Sequence, residues 1–343
     1  MLRLKDLTVG QDDKVYEKVI ETFVRESEIL ELLPFDNAVS PNGKGSTLIY
    51  GYTQTKAPSK AAFRAIGSEY TPSEATIKDL SVKLKIFGGS FQLDRVIKSI
   101  EGKLENMDRQ LSEKIKSAVG LFHDTMINGD SASDSLEFDG LDKFLVGTST
   151  EFNTDNYIDL STIEKLKANA DEFYEMLLKL INTTGADALL VNEGMKTKIQ
   201  TVARILGYKT ESEEAFGRTI TSIGEGKVRL IDLKNKYDVT GDADNPTVTE
   251  EPIIGVKSRV FGANEEEEEP GTTVTGLTDI YAAKFDIDKG FCGVTITGDK
   301  AIDTYLPDFT TPGAVKTGEV EMVAAVALKD THGAGVLRNI KII

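Results

Sequence analysis

The sequence predicts an α+β protein: a long helix packed on a sheet, followed by a separate α/β unit. Three observations carry this. From Ile100 the apolar residues Leu104, Met107, Leu111, Ile115, Val119, Phe122 and Met126 recur in steps of 3 and 4, one helix face held over about seven turns. Upstream, Val82, Leu84 and Ile86 alternate with Ser81, Lys83 and Lys85, the period of a half-buried strand. Downstream, the apolar run Ala188–Val191 lies between two helical patterns, as a buried strand of an α/β unit does.

In chain order, residues 1–44 combine a polar start with an amphipathic helix. Val15, Val19, Phe23, Ile29 and Leu33 mark its apolar side and Pro34 its end. A lone helix needs a surface to lie against, on its own core or on another subunit. Residues 45–88 read as two antiparallel strands around an extended loop broken by Pro58, Gly67 and Pro72. The spine helix is expected over 94–128, preceded by a short helix capped by Asp94, interrupted at Gly102 and stopped by Gly129 in a left-handed conformation. Residues 129–158 are loop-rich. Ser161-Thr162-Ile163-Glu164 reads as a capping box opening a helix to about Asn182, with Leu166, Phe173, Leu177, Leu178 and Ile181 inward. A strand over 187–192 and a helix over 193–207 follow, then strands at 227–233, 253–260, 279–285 and 293–297. The acidic run Glu265 to Glu269, and the cluster Asp238, Asp242 and Asp244, read as solvated loops. Residues 320–328 and 336–342 read as a terminal hairpin turning at 331–335.

Composition excludes several function classes. The 343 residues carry a net charge of −16, which opposes direct nucleic-acid binding, because neutralising phosphates needs a basic surface. It does not exclude a container for DNA, whose acidic wall would repel the contents. No apolar run approaches the ~20 residues that cross a bilayer, and the N-terminus lacks the apolar block of a secretory signal. The single cysteine, Cys292, forbids an intrachain disulfide and fits cytoplasmic synthesis, as a buried structural thiol. His123 and His332 have no Cys or His partner at ligand spacing, and the glycines near His332 lack the GK[ST] of a phosphate loop. No catalytic, cofactor-binding or metal-binding residues are expected. A hydrolase would need a convergent nucleophile, base and electrophile that two isolated histidines do not supply.

The charge distribution is uneven. Lys44, Lys56, Lys60 and Arg64 fall between residues 44 and 68 with no acid among them, so the rest of the chain is more acidic than the −16 total. A basic arm on an acidic body is drawn to the acidic surface of another copy. Lys56, Lys60, Phe63 and Arg64 are therefore the candidate inter-subunit contacts.

The order of elements resembles the major capsid proteins of tailed bacteriophages, a fold shared with herpesvirus shell floors and encapsulin nanocompartments. The residues that carry the resemblance are Gly88-Gly89-Ser90-Phe91-Gln92-Leu93-Asp94 before the spine, Ile127-Asn128-Gly129-Asp130, and Phe138-Asp139-Gly140-Leu141. Later ones are Ala188 to Asn192, Asp279 to Lys284, Val323 to Lys329 and Ala334 to Arg338. The resemblance implies an N-terminal arm (1–44), an extended β-hairpin loop (45–88), a peripheral domain (89–158 plus 318–343) and an axial domain (159–317). It implies a shell subunit forming pentamers and hexamers around double-stranded DNA, assembled in a bacterial cytoplasm, with no membrane. Its partners would be copies of itself, a separate scaffolding protein, a portal, DNA held without sequence-specific contacts, and a decoration protein. An encapsulin-type compartment for cargo enzymes is the alternative. Some members crosslink Lys to Asn between subunits. Lys56 or Lys60 with Asn339 has the right side chains, but without a placed carboxylate to take the lysine proton ordinary salt bridges are expected instead.

Overall fold

The computed structural model describes residues 22, 26–39, 45–57, 59–98, 103–208, 211–215, 218–223, 228–242, 245–262, 271–296 and 302–343. Val15, Val19, Phe23, Lys44, Gly102, Asp244 and the acids Glu265 to Glu269 lie outside them. A short helix, Glu28–Leu32, opens the described chain, its N-terminus capped by the Ser27 side chain. Ile29 and Leu33 are buried, as expected. After β1 (Phe35–Ala38), strands β2 (Ile49–Ala57) and β3 (Thr76–Lys83) pair antiparallel as a free-standing ribbon. Strand β4 (Lys85–Asp94) follows directly. Leu84 leaves the ladder to donate to the Leu48 carbonyl at 2.8 Å. That one-residue break flips the alternation: Val82 and Leu84 are buried, but Ile86 points outward, against expectation.

The spine helix Lys103–Asn128 follows a one-turn helix, Arg95–Lys98, whose start is tied by Asp94 accepting from Val96 N at 2.7 Å. Leu111, Ile115, Val119, Phe122 and Met126 are buried. Phe122 lies between Phe87 and Phe138, with ring centroids 5.7 and 5.9 Å apart. Each such aromatic pair adds about 0.5–1.5 kcal/mol beyond its buried area. Gly129 ends the helix for a reason other than the one expected. It lacks a positive φ; instead a Cβ there would sit 2.2 Å from the Phe138 carbonyl oxygen. The glycine is needed for close backbone approach.

The next elements are a helix at Leu141–Leu145, β5 (Glu151–Phe152), β6 (Ile158–Asp159), and helices Ile163–Ala168 and Ala170–Thr184. The helix cap is Thr162, not the expected Ser161, because Ser161 is already bonded to Asp159 at 2.6 Å. The single helix expected to Asn182 breaks at Asn169, whose side chain donates to the Asp159 carbonyl. Leu178 and Ile181 are only partly buried, and Leu180 takes the core position.

Then come β7 (Ala188–Val191), helix Glu193–Ile205, and strands β8 (Glu211–Ala215), β9 (Arg218–Ile223) and β10 (Val228–Asp232). A second ribbon pairs β11 (Asn235–Asp242) with β12 (Asn245–Pro252). This places Asp238 and Asp242 in a strand rather than a loop. Strand β13 (Lys257–Phe261) starts later than expected, since Ile253 and Ile254 form a buried turn. The chain ends with β14 (Thr272–Ala283), β15 (Phe291–Ile296), β16 (Ile302–Tyr305), β17 (Val315–Leu328) and β18 (Ala334–Lys341).

The main strands form two sheets. One runs β1-β15-β17-β16 with β4 also on β17, and the other runs β5-β18-β14-β7-β10-β9-β8 with β13 and β6 attached. The terminal hairpin expected from the sequence is absent: β17 and β18 enter different sheets, joined by the 3-10 turn Thr331–Gly333. The reason lies in burial on both faces. Along β14 and β18, Tyr281, Ala283 and Val336 face the spine-helix core, while Ile280, Ala282, Leu337 and Ile340 face a second core under the 163–205 helices. A strand shared by two cores shows an apolar run that does not name its partner.

Candidate inter-subunit surface

Among the described residues, the β2–β3 ribbon is anchored at its root. Tyr50 and Tyr52 stack at 6.1 Å, and Gln54 Nε2 donates to the Leu328 carbonyl at 3.4 Å. The Tyr50 hydroxyl donates to Asp36, and Lys329 Nζ lies 3.1 Å from the same carboxylate and 5.3 Å above the Tyr50 ring. Burial, then the hydrogen bond to Asp36, pushes Tyr50 up to about 12. Burial also works to raise Asp36, but bonds from Tyr50 and Lys329 outweigh it and hold the carboxyl below its usual value. The root is thus a charged clasp between the ribbon, β1 and the end of β17.

Beyond the root the chain leaves the body. Residues 59–75 have no regular structure apart from a turn at Gly67, whose φ of 86° suits glycine. Phe63 and Ile66 are fully exposed, and Tyr70 is more than half exposed. Arg64 donates to the Ser68 carbonyl at 3.2 Å and sits 5.4 Å over the Tyr70 ring. Lys60 is exposed, and its backbone NH donates to Ser73 Oγ at 2.9 Å. So Lys60, Phe63 and Arg64 share one excursion at the ribbon tip. Lys56 stands in β2, its side chain outside the described set. The tip combines cations with bare apolar side chains, a composition suited to a partner surface.

His123 is buried with Nε2 2.7 Å from Ser27 Oγ, and burial, then nearby Lys234, lowers its pKa to about 4. Cys292 is buried, and burial pushes its thiol up to about 12. His332 lies exposed, 3.5 Å from Asp330. Among the described residues no group of acids, histidines and cysteine could hold a metal ion, and no helix is long and apolar enough to cross a membrane.

Neither a family model nor a curated protein matches the sequence. Solved structures do. The holo-SrpI encapsulin of Synechococcus elongatus PCC 7942 aligns over 92% of this chain and 87% of its own, with TM-score 0.54 and 11% identity. The capsid of a native GTA particle aligns over 92% and 90%, with TM-score 0.54 and 10% identity. The capsid of the empty GTA particle gives a TM-score of 0.52 at 10% identity over the same shares. The chain has the major-capsid fold.

Within this capsid fold two features escaped the sequence reading. The first is a buried ion network. Arg338 contacts Glu151 at 2.8 Å, Asp279 at 3.3 Å and Asp142, while Arg259 grips Asp279 with two bonds of 2.7 and 2.6 Å. Burial alone would lower Arg338, but Tyr281 and the acids raise it well above its usual value. Asn339 belongs to this network: it is buried, its amide donates to the Asn153 and Thr154 carbonyls, and its oxygen accepts from Arg259. An occupied amide of this kind is not open to a lysine from another subunit. The second is the β11–β12 ribbon, whose Tyr237, Val239 and Val248 are more than half exposed. Its alternation was visible in the sequence, but three acids within 238–244 masked it.

Proposed function

We propose that the protein is a structural subunit of an icosahedral viral capsid, self-assembling into pentamers and hexamers that enclose double-stranded DNA. What supports this most is the capsid fold, aligned over 92% of the chain, carrying a ribbon tip whose Phe63, Ile66, Lys60 and Arg64 its own body leaves uncovered. On this reading residues 1–44 are an arm and 45–88 an extended loop laid on a neighbouring subunit. Residues 89–158 with 318–343 form the peripheral domain and 159–317 the axial domain, the two joined through β18. The acidic body keeps DNA from adhering, so genome contacts are not sequence-specific. The subunit performs no chemistry of its own. Its partners are other copies, a separate scaffolding protein, a portal and a decoration protein, with assembly in a host cytoplasm.

Electron microscopy tests the reading, with closed shells as the expected result when the chain is produced together with its scaffolding protein. Lys56→Glu, Lys60→Glu and Arg64→Glu together should abolish closed particles while the subunit stays folded. Normal shells from that triple variant would sink the role of the basic loop. The encapsulin reading shares the fold; particles formed by the chain alone that recruit a peptide-tagged enzyme would favour it.

A further inference from the structure

A groove of about 1010 Å³ runs between the spine helix and the β11–β12 ribbon, with the start of the helix Glu28–Leu32 at its edge. Seven carboxylates against three lysines line it, Glu113, Asp238 and Glu251 among the acids, an excess of four negative charges. Two of the lysines are held within it, Lys116 at 3.2 Å from Glu113 and Lys236 at 3.4 Å from Asp124. Beside the acids, Leu121, Tyr237, Val239 and Val248 line the groove with between 47% and 63% of their surface exposed. A face that is acidic for solubility alone has no need of bare valines next to its charges. Gly120 also lies in the groove, inside the 26-residue spine helix. Glycine is a poor helix former, and a Cβ here would meet nothing within 4 Å, so the subunit's own packing does not call for it. Without a side chain at 120, another backbone can approach the helix closely.

We propose that this groove receives a lysine- or arginine-rich amphipathic segment of a separate protein. The proposal goes beyond the shell reading and does not depend on it. Cations on such a segment meet the excess carboxylates, while its apolar side covers Leu121 and the ribbon valines. Neither the ribbon tip nor the start of this chain supplies that charge. Residues 59–75 are neutral, Lys60 and Arg64 against Glu69 and Glu74. Residues 1–25, which lead to Glu26 at the groove, carry five cations and five acids. Nucleic acid is turned away by the same excess of carboxylates. The match is therefore to a cationic chain of another protein, and the exposed apolar lining calls for one that is amphipathic rather than merely basic.

The test is fluorescence anisotropy with the purified full-length chain and a labelled peptide of leucine and lysine. The peptide spans about four helical turns and is patterned so that its leucines fall on one face. Saturable binding at an ionic strength of about 0.15 M is expected. Asp238→Lys with Glu251→Lys should weaken it about tenfold or more, as should Val239→Ser with Val248→Ser. The same charge reversal at exposed positions of the helix Ala170–Thr184, Glu172→Lys with Glu175→Lys, should leave binding within about twofold. Gly120→Trp, which fills the groove, should abolish binding with unchanged circular dichroism. Were the tryptophan variant not to fold, the ribbon variants would decide. Equal weakening by both charge reversals would show attraction to net charge alone and overturn the proposal. So would equal binding of a scrambled peptide that has lost its apolar face, or no binding by the parent chain. Self-association that Gly120→Trp abolishes, with no peptide bound, would make a second copy the occupant and overturn it as well.

Discussion

Arg338 and Arg64 put the same side chain to opposite uses. Arg338 is 8% exposed and its guanidinium meets carboxylates from three separate elements, the helix at 141–145, β5 and β14. Arg64 stands at a ribbon tip, bonded among the described residues to main-chain carbonyls of its own loop and stacked on Tyr70. The strands around them differ likewise. Seven of the eight residues of β18 are buried, whereas β12 is exposed at seven of eight. One region pairs Arg338 and Arg259 with Asp142, Glu151 and Asp279 of its own chain. The other leaves Phe63 and Ile66 bare, a state that a monomer has no reason to maintain and an assembling subunit does.

The largest effect expected from breaking this contrast is at Arg338. Arg338→Leu leaves Asp279, 4% exposed, and Glu151, 12% exposed, without one of their cations. Removing one partner of a buried ion pair costs about 3–5 kcal/mol, because the remaining charge stays desolvated. The expected outcome is a lowered denaturant midpoint with an unchanged slope. Arg64→Leu should leave the midpoint within about 0.5 kcal/mol of the parent. Equal midpoints for the two variants would erase the distinction between the regions.

His123 sharpens the contrast through pH. Burial lowers its folded pKa to about 4 from an unfolded value of 6.5. Between those values the unfolded state binds a proton that the folded state excludes, so stability rises with pH. The contribution is complete above about 6.5 and is lost as pH falls toward about 4, amounting to roughly 3 kcal/mol. His123→Gln should flatten thermal stability between pH 6.5 and 4.5 relative to the parent. Parallel curves would mean that the ring titrates normally and that the junction of Ser27 with the spine is open to water.

What could be read from the sequence follows physical range. The spine helix was legible because its period is local: each apolar residue is placed by neighbours three or four positions away. The β2–β3 ribbon was legible for the same reason. The partners of β17 and β18 were not, because Val323–Leu328 and Ala334–Leu337 are continuous apolar runs, and partners as distant in sequence as residues 85–94 and 151–159 leave no trace in a local pattern. Gly129 was found but misread: a stop signal in sequence turned out to be a close approach to Phe138. Lys60, Phe63 and Arg64 were legible as a charge asymmetry, since composition needs no partner to be counted. The Arg338 network was invisible, as its acids come from residues 142, 151 and 279 and only the fold collects them.

The smallest effect on the subunit, paired with a large one on assembly, is expected at Phe63. The ring is fully exposed and touches no core, so Phe63→Ser removes nothing that the folded subunit relies on. Its unfolding free energy should stay within about 0.5 kcal/mol. If the ring is buried against a neighbour, each subunit forfeits about 1.5–3 kcal/mol of apolar burial at every contact. Because a shell repeats that contact through all its subunits, the critical concentration for assembly, followed by light scattering, should rise at least tenfold. Denaturation of the unassembled variant, run alongside, separates the two effects. An unchanged critical concentration would show that the bare ring is a feature of the loop alone, and would leave the tip's cations as the only group drawn to a neighbour.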